Sequence, residues 1–190
     1  MNTPQDVLTF WFGAPPWASR PEWFRKSDAF DDSIRRRFGA TVEAALAGSL
    51  NAAWAAQPLT EILLLDQFTR NIFRGQARAF AGDARALALA RQLVAGGGDL
   101  ALHPLQRWFA YLPFEHSEDL AVQHESVRLF GLLAGAADAA DADLASALDY
   151  AERHCEVVRR FGRFPHRNAA LGRSSSADEL AYLAQPGAGF

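Results

Sequence analysis

Apolar residues recur at helical spacing along most of the chain, and alternating strand patterns are scarce, which predicts an all-α protein. From Asp28 to about Ala47, Phe30, Ile34, Phe38, Val42 and Leu46 stand four apart and define one buried face. Arg35, Arg36 and Arg37 spread around that helix and read as a solvated surface. Pro58 to Arg70 is different, because Leu59, Ile62, Leu63, Leu64, Leu65 and Phe68 leave almost no polar side. A short helix that is apolar all round is predicted to be buried. Asp143 to Phe161 reads as a long helix with Leu144, Leu148, Ala151, Cys155 and Val158 inward.

Capping and breaking residues set the remaining boundaries. Thr3-Pro4-Gln5-Asp6 opens a first helix that Gly13 ends. Pro15, Pro16 and Pro21 mark a loop, and Trp17, Trp23 and Phe24 in it read as plugs over the core. Asp83 is predicted to cap a helix through about Ala95, with Gly96-Gly97-Gly98 as a connector. Pro104 to Tyr111 reads as a short aromatic helix turned by Pro113, and Ser117 as the cap of a helix running to Gly135. Ala136 to Ala142 is a connection. Ser176-Ala177-Asp178-Glu179 is a capping box for a last helix, and Pro186 to Phe190 is a tail expected to dock through Phe190. The expectation is one compact helical domain over residues 1–190, with sub-units about 1–98 and 99–190.

Three otherwise apolar stretches carry clustered polar residues. The first holds Asp66, Gln67, Arg70, Asn71 and Arg74, with Asp66 and Arg70 neighbours on one helix face. The second is His116-Ser117-Glu118-Asp119, where His116, Asp119 and Gln123 would form a stripe if helical geometry already holds at His116. The third is Phe161-Gly162-Arg163-Phe164-Pro165-His166-Arg167-Asn168, a compact turn with four polar side chains between aromatic anchors. Buried polar groups need partners, so the three are expected to meet in one cleft.

Composition narrows the function classes. In 190 residues that are 49% hydrophobic there is enough apolar surface for a real core. A net charge of −3 argues against general nucleic-acid binding, and no apolar run is long enough to span a bilayer. The single Cys155 excludes an internal disulfide and suits a reducing compartment, and the N-terminus lacks a secretory pattern; a cytoplasmic location is expected. All basic residues except Lys26 are arginine, the side chain suited to forked recognition of carboxylate or phosphate.

Leu65-Asp66-Gln67-Phe68 with Arg70-Asn71-Ile72-Phe73-Arg74-Gly75, Tyr111-Leu112-Pro113-Phe114 with His116-Ser117-Glu118-Asp119, and Arg160 to Asn168 occur in this order. In order and spacing they resemble the bacterial domain-of-unknown-function family nine-hundred-twenty-four. The likeness covers nearly the whole chain and implies a tetratricopeptide-like fold of stacked helical hairpins; it implies no activity. Thr69 stands where that family usually has proline, so the helix is expected to run past Phe68 unbroken.

The functional expectation is a pocket for a small anionic metabolite. Arg70, Asn71, Arg74, Arg163, Arg167 and Asn168 are the candidate ligand-binding residues, and His116, Asp119, His166 and Asp66 the candidate acid–base residues. No cofactor or metal is expected; His116, Glu118, Asp119, His154 and His166 have metal-binding chemistry but no helical zinc spacing. The alternative is a helical scaffold for a partner protein, with the polar cluster purely structural.

Overall fold

The computed structural model describes residues 2–136 and 142–189, and every regular element in them is helical. Thr3 caps α1 (Pro4–Phe12): its hydroxyl accepts from the Asp6 N–H, and the Asp6 carboxylate accepts from the Thr3 N–H. Ser27 starts α2 (Asp28–Leu46), and Ile34, Phe38 and Val42 on its predicted face are fully buried. Two short helices follow, α3 (Ala52–Ala55) and α4 (Pro58–Ile62). The backbone then widens into a π-helix (Leu63–Phe68) before tightening again into α5 (Thr69–Ile72). The segment from Leu59 to Thr69 is buried throughout, as its apolar character predicts. With threonine at 69 the helix continues; the Thr69 hydroxyl donates to Leu65 O at 2.7 Å.

Downstream come α6 (Asp83–Ala95), α7 (Pro104–Glu115), α8 (Leu120–Ala136), α9 (Ala142–Phe161) and α10 (Ala177–Leu183). Three boundaries and one buried face differ from the sequence expectation. Asp83 is the first residue of α6 and caps nothing; its carboxylate is taken by arginines. Pro113 lies inside α7, where packing of the surrounding aromatics holds the helix together despite the missing N–H. α8 is capped by Asp119 instead of Ser117, its Oδ1 accepting from the N–H groups of Ala121 and Val122. On α9 the inward residue is His154, and Cys155 is only half-buried, because His154 packs on Phe164 and bonds the Tyr150 carbonyl. The predicted connection at 136–142 and the Phe190 anchor lie largely or wholly outside the described residues.

One hydrophobic cluster runs from Val7 to Ala151 and so spans both expected sub-units. Its centre is aromatic: Trp11 meets Phe68 at 5.3 Å and Phe109 at 5.4 Å, and Phe109 meets Trp23 at 4.8 Å between ring centroids. α1 is thus a wedge between the α4–α5 segment and α7. A smaller cluster of Val157, Val158 and Phe164, with Phe161 and Tyr182, holds the turn after α9. α7 packs on both α8 and α9 and carries the last turn that enters the site.

The start of α6 lies directly on the π-helix. A Cβ on Gly82 would overlap the Leu65 carbonyl, so only glycine allows this approach. Gly131, inside α8, has open space around it. Gly82→Ala is expected to destabilise the protein by about 1–3 kcal/mol, and Gly131→Ala to be neutral or to stabilise it by up to about 1 kcal/mol, read from urea unfolding midpoints.

Candidate functional site

Asp66 sits in the π-helix with no exposed surface. His116, at the end of α7, approaches it with Nδ1 2.6 Å from Oδ1. Arg70, one helical turn on, places Nη1 3.2 Å from the same oxygen and 2.7 Å from the Asp66 carbonyl, while Gln67 Nε2 donates to Oδ2 at 2.5 Å. Burial opposes the Asp66 charge, but the Arg70 and His116 interactions outweigh it and hold the carboxyl well below its usual range. His116 is lowered too, by burial first and the Arg70 charge second. The pair is therefore a carboxylate hydrogen-bonded to a neutral imidazole whose Nδ1 carries the proton.

Gln67, Arg70 and His116 line a cavity of about 680 Å³, with Asp66 buried behind them. Its second polar wall comes from Asn71 and Arg74, both bound to the buried Asp31 of α2: Asn71 donates at 2.7 Å, and Arg74 straddles the carboxylate at 2.8 and 3.0 Å. Burial works against the Asp31 charge, and the Arg74 and Asn71 hydrogen bonds overcome it, leaving the carboxyl below its usual range. Trp23, Phe24 and Trp108 also line it, with Phe24 stacked on Trp108 at 4.9 Å. Trp23 also plugs the core as expected, donating to Trp11 O at 3.0 Å, but the loop that carries it doubles as the cavity's apolar wall. Phe24 is 57% exposed and Tyr150, on α9, 45%; both stand at the cavity. Arg25 also lines it, and among the described residues its guanidinium has no hydrogen-bonding or ion-pair partner.

Glu115 and His154, both buried in the lining, lie outside the sequence-derived candidate set proper. Glu115, buried, is pushed up to about 8 by burial first and the Asp66 charge second. His154, set aside at the sequence level as a metal-type residue, lies with Nδ1 3.3 Å from Glu115 Oε1 and 2.8 Å from Tyr150 O. Burial, then the neighbouring His116, holds His154 well below its usual value. The approach of these two is thus a contact of neutral groups, not an ion pair. Both are adjacent in sequence to residues that drew attention, His116 and Cys155, but a glutamate or histidine on a helix gives no sign of its partner across the fold.

The structure brings Arg70, Asn71, Arg74 and His116 into the lining of one cavity, with Asp66 buried behind Arg70 and His116, and leaves the other candidates outside it. Asp119 is exposed and caps α8, so it corrects the expected stripe; Gln123 turns the other way and donates to Glu115 O and Ser117 O, both at 2.6 Å. Arg163 forks onto Glu179 at 2.6 and 2.8 Å, remote from the cavity, and with Ser176 pulls that carboxyl down to about 2. Asn168 is buried and spans Ser175 and Arg173. His166 packs against Phe164 and is lowered to about 4 by burial and then by Arg167. The third motif is tied to the second outside the cavity, with Glu118 accepting from the Phe164 N–H and from both Arg173 amino groups.

Arg167 is the link between that turn and the cavity floor. Its guanidinium lies between the rings of Phe80 and Phe164, 4.7 and 4.6 Å from their centroids, and donates to Asp83 at 3.1 Å. Asp83 in turn is forked by Arg70 at 2.8 and 3.0 Å. Burial and the like charge of Arg70 lower Arg167 to about 10. Among the described residues, no group of three or more His, Cys, Asp or Glu side chains is placed to hold a metal ion, and no helix is long and apolar enough to cross a membrane.

No curated protein matches the chain. A solved structure of a protein of unknown function from Agrobacterium tumefaciens is similar along almost its whole length, with 38% identity, 95% of this chain and 96% of that one covered, and a TM-score of 0.81. The profile of a bacterial protein family of unknown function, DUF924, matches residues 7–187. With that span and the three polar motifs inside it, the chain belongs to the bacterial family DUF924.

Proposed function

We infer that the cavity binds a small organic anion with a flat apolar part. The observation that supports this is the mixed character of the lining. Trp23, Phe24 and Trp108 supply aromatic surface, and Arg74, Asn71 and Arg25 supply guanidinium and amide donors. Aromatic faces suit a planar hydrocarbon portion, and guanidinium forks suit a carboxylate or phosphate. Arg70 and Arg74 already have carboxylate partners, so they orient more than they neutralise. Arg25, which has none among the described residues, is the group that meets the ligand's charge. The cavity volume is in the range of small-molecule sites.

A thermal-shift and calorimetry screen separates the contributions: inorganic phosphate, short dicarboxylates, nucleotides, benzoate, phenylacetate and phenyl phosphate. The aromatic anions are expected to raise Tm, and inorganic phosphate alone to leave it unchanged. No shift with any aromatic anion overturns the reading. Both rim positions are exposed, so their variants should keep the wild-type Tm without ligand. Arg25→Ala is expected to weaken binding on the order of tenfold or more, and Phe24→Ala by about three- to tenfold.

A further inference from the structure

The last turn of α7 delivers consecutive residues, Glu115 and His116, to the same cavity. His154 joins them: its ring centroid is 6.3 Å from that of His116, and its Nδ1 is 3.3 Å from Glu115 Oε1. The turn is held by Gln123, which donates to the carbonyls of Glu115 and Ser117. Asp66 accepts from His116 Nδ1, which leaves Nε2 as the basic nitrogen, and among the described residues Nε2 has no hydrogen bond. We propose that the cavity catalyses proton transfer on a carbonyl-bearing organic acid, with Asp66–His116 as the base and Glu115 as the acid. This rests on the reading of the cavity as an organic-anion pocket.

The protonation states agree with the geometry. His116 faces Asp66 from the π-helix, Arg70 from α5, His154 from α9 and Arg167 from the turn beyond it; burial and the arginines keep it neutral. Glu115 faces Asp66 and His154, and burial and the Asp66 charge keep its proton on at neutral pH. Two carboxyls whose surroundings drive them to opposite states, one ionised behind a base and one undissociated, form an acid–base pair. An undissociated acid also stabilises an oxygen on which negative charge develops.

The step balances without any co-reactant. Nε2 of His116 takes a proton from the carbon next to the carbonyl, and the C–H electron pair forms a carbon–carbon double bond. The carbonyl π pair moves to oxygen, which takes the Glu115 proton. The enol, an imidazolium and a carboxylate result. Return of a proton to carbon, or exchange of the imidazolium proton with water first, restores both side chains. Asp66 stays ionised, stabilising the imidazolium and holding the tautomer.

The experiment uses the full chain with phenylpyruvate as probe, reading deuterium uptake at its methylene carbon by NMR in D2O and binding by calorimetry on the same samples. Exchange above the buffer rate is expected, with a rate that stays high below pH 6.5, where an ordinary histidine protonates, and falls as pH rises through about 8 when Glu115 ionises. His116→Gln should cut the exchange by on the order of 100-fold or more with binding retained. Glu115→Gln should slow it and remove the fall near pH 8, a readout that lost packing would not produce. The wild-type pH profile serves independently if either variant fails to fold. Binding without enhanced exchange overturns the proton-transfer proposal and leaves the pocket reading standing. Failure of phenylpyruvate and of every other aromatic anion to bind overturns both.

Discussion

A carboxylate with no contact with water, Asp66, is the constraint around which the rest is arranged. An isolated buried charge is prohibitive, and removing one partner from a buried ion pair typically costs about 3–5 kcal/mol. Asp66 must therefore be met simultaneously by Gln67, Arg70 and His116, which ties the π-helix, α5 and the last turn of α7 to one point. The π-helix itself fits this requirement, since widening the backbone re-aims the side chains of Asp66 and Gln67 within an otherwise apolar helix. The close approach of Gly82 to Leu65 O then sets Asp83 near Arg70.

From Asp66 outward the charges alternate in sign: Asp66 against Arg70, Arg70 against Asp83, Asp83 against Arg167. The turn after α9 thus reaches the cavity without touching it. Arg167 is held by ring faces on both sides, which suits a weakly hydrated planar cation better than an ammonium. Its position limits how strongly Asp83 can neutralise Arg70, and Arg70 is the largest charge acting to keep His116 unprotonated. A segment that lies outside the cavity therefore helps set the proton state of a group inside it.

Helical class, the buried helix before Arg70 and the caps at Thr3 and Ser176 were legible from periodicity and local chemistry, because those features are decided by residues within a few positions. The meeting of the first two polar motifs was legible for a different reason: Asp66 and Arg70 stood in a segment with no solvent side, and so required a distant partner. Where the logic failed, a local solution existed that the sequence could not rank. Asp119 looked equally fit for cap or site and serves as cap; Asp83 looked like a cap and serves as a bridge between arginines separated by almost a hundred positions. Arg163 and Asn168 found partners on the following loop and α10, so neither side chain reaches the cavity. Glu115 carried no local mark at all, since what makes it unusual is burial beside a carboxylate 49 positions earlier in the chain.

Structural need accounts for the cavity floor but not for its rim. Asp66, Asp31 and Asp83 are each satisfied within the protein, so the ion pairs around them would exist whether or not anything binds. Phe24 and Tyr150 remain largely exposed at the edge of a well-packed core, and Arg25 stands beside them without a partner among the described residues. Glu115 bears a burial cost that a leucine or glutamine would not, and its neighbour His154 gains no charge from the contact. A network built for stability alone would place a packed hydrophobe at such a position, which is often neutral or better for folding. Exposed rings, a guanidinium with no partner among the described residues and a costly undissociated acid converging on one hollow are instead what the proposed binding and proton transfer on a small organic anion would require.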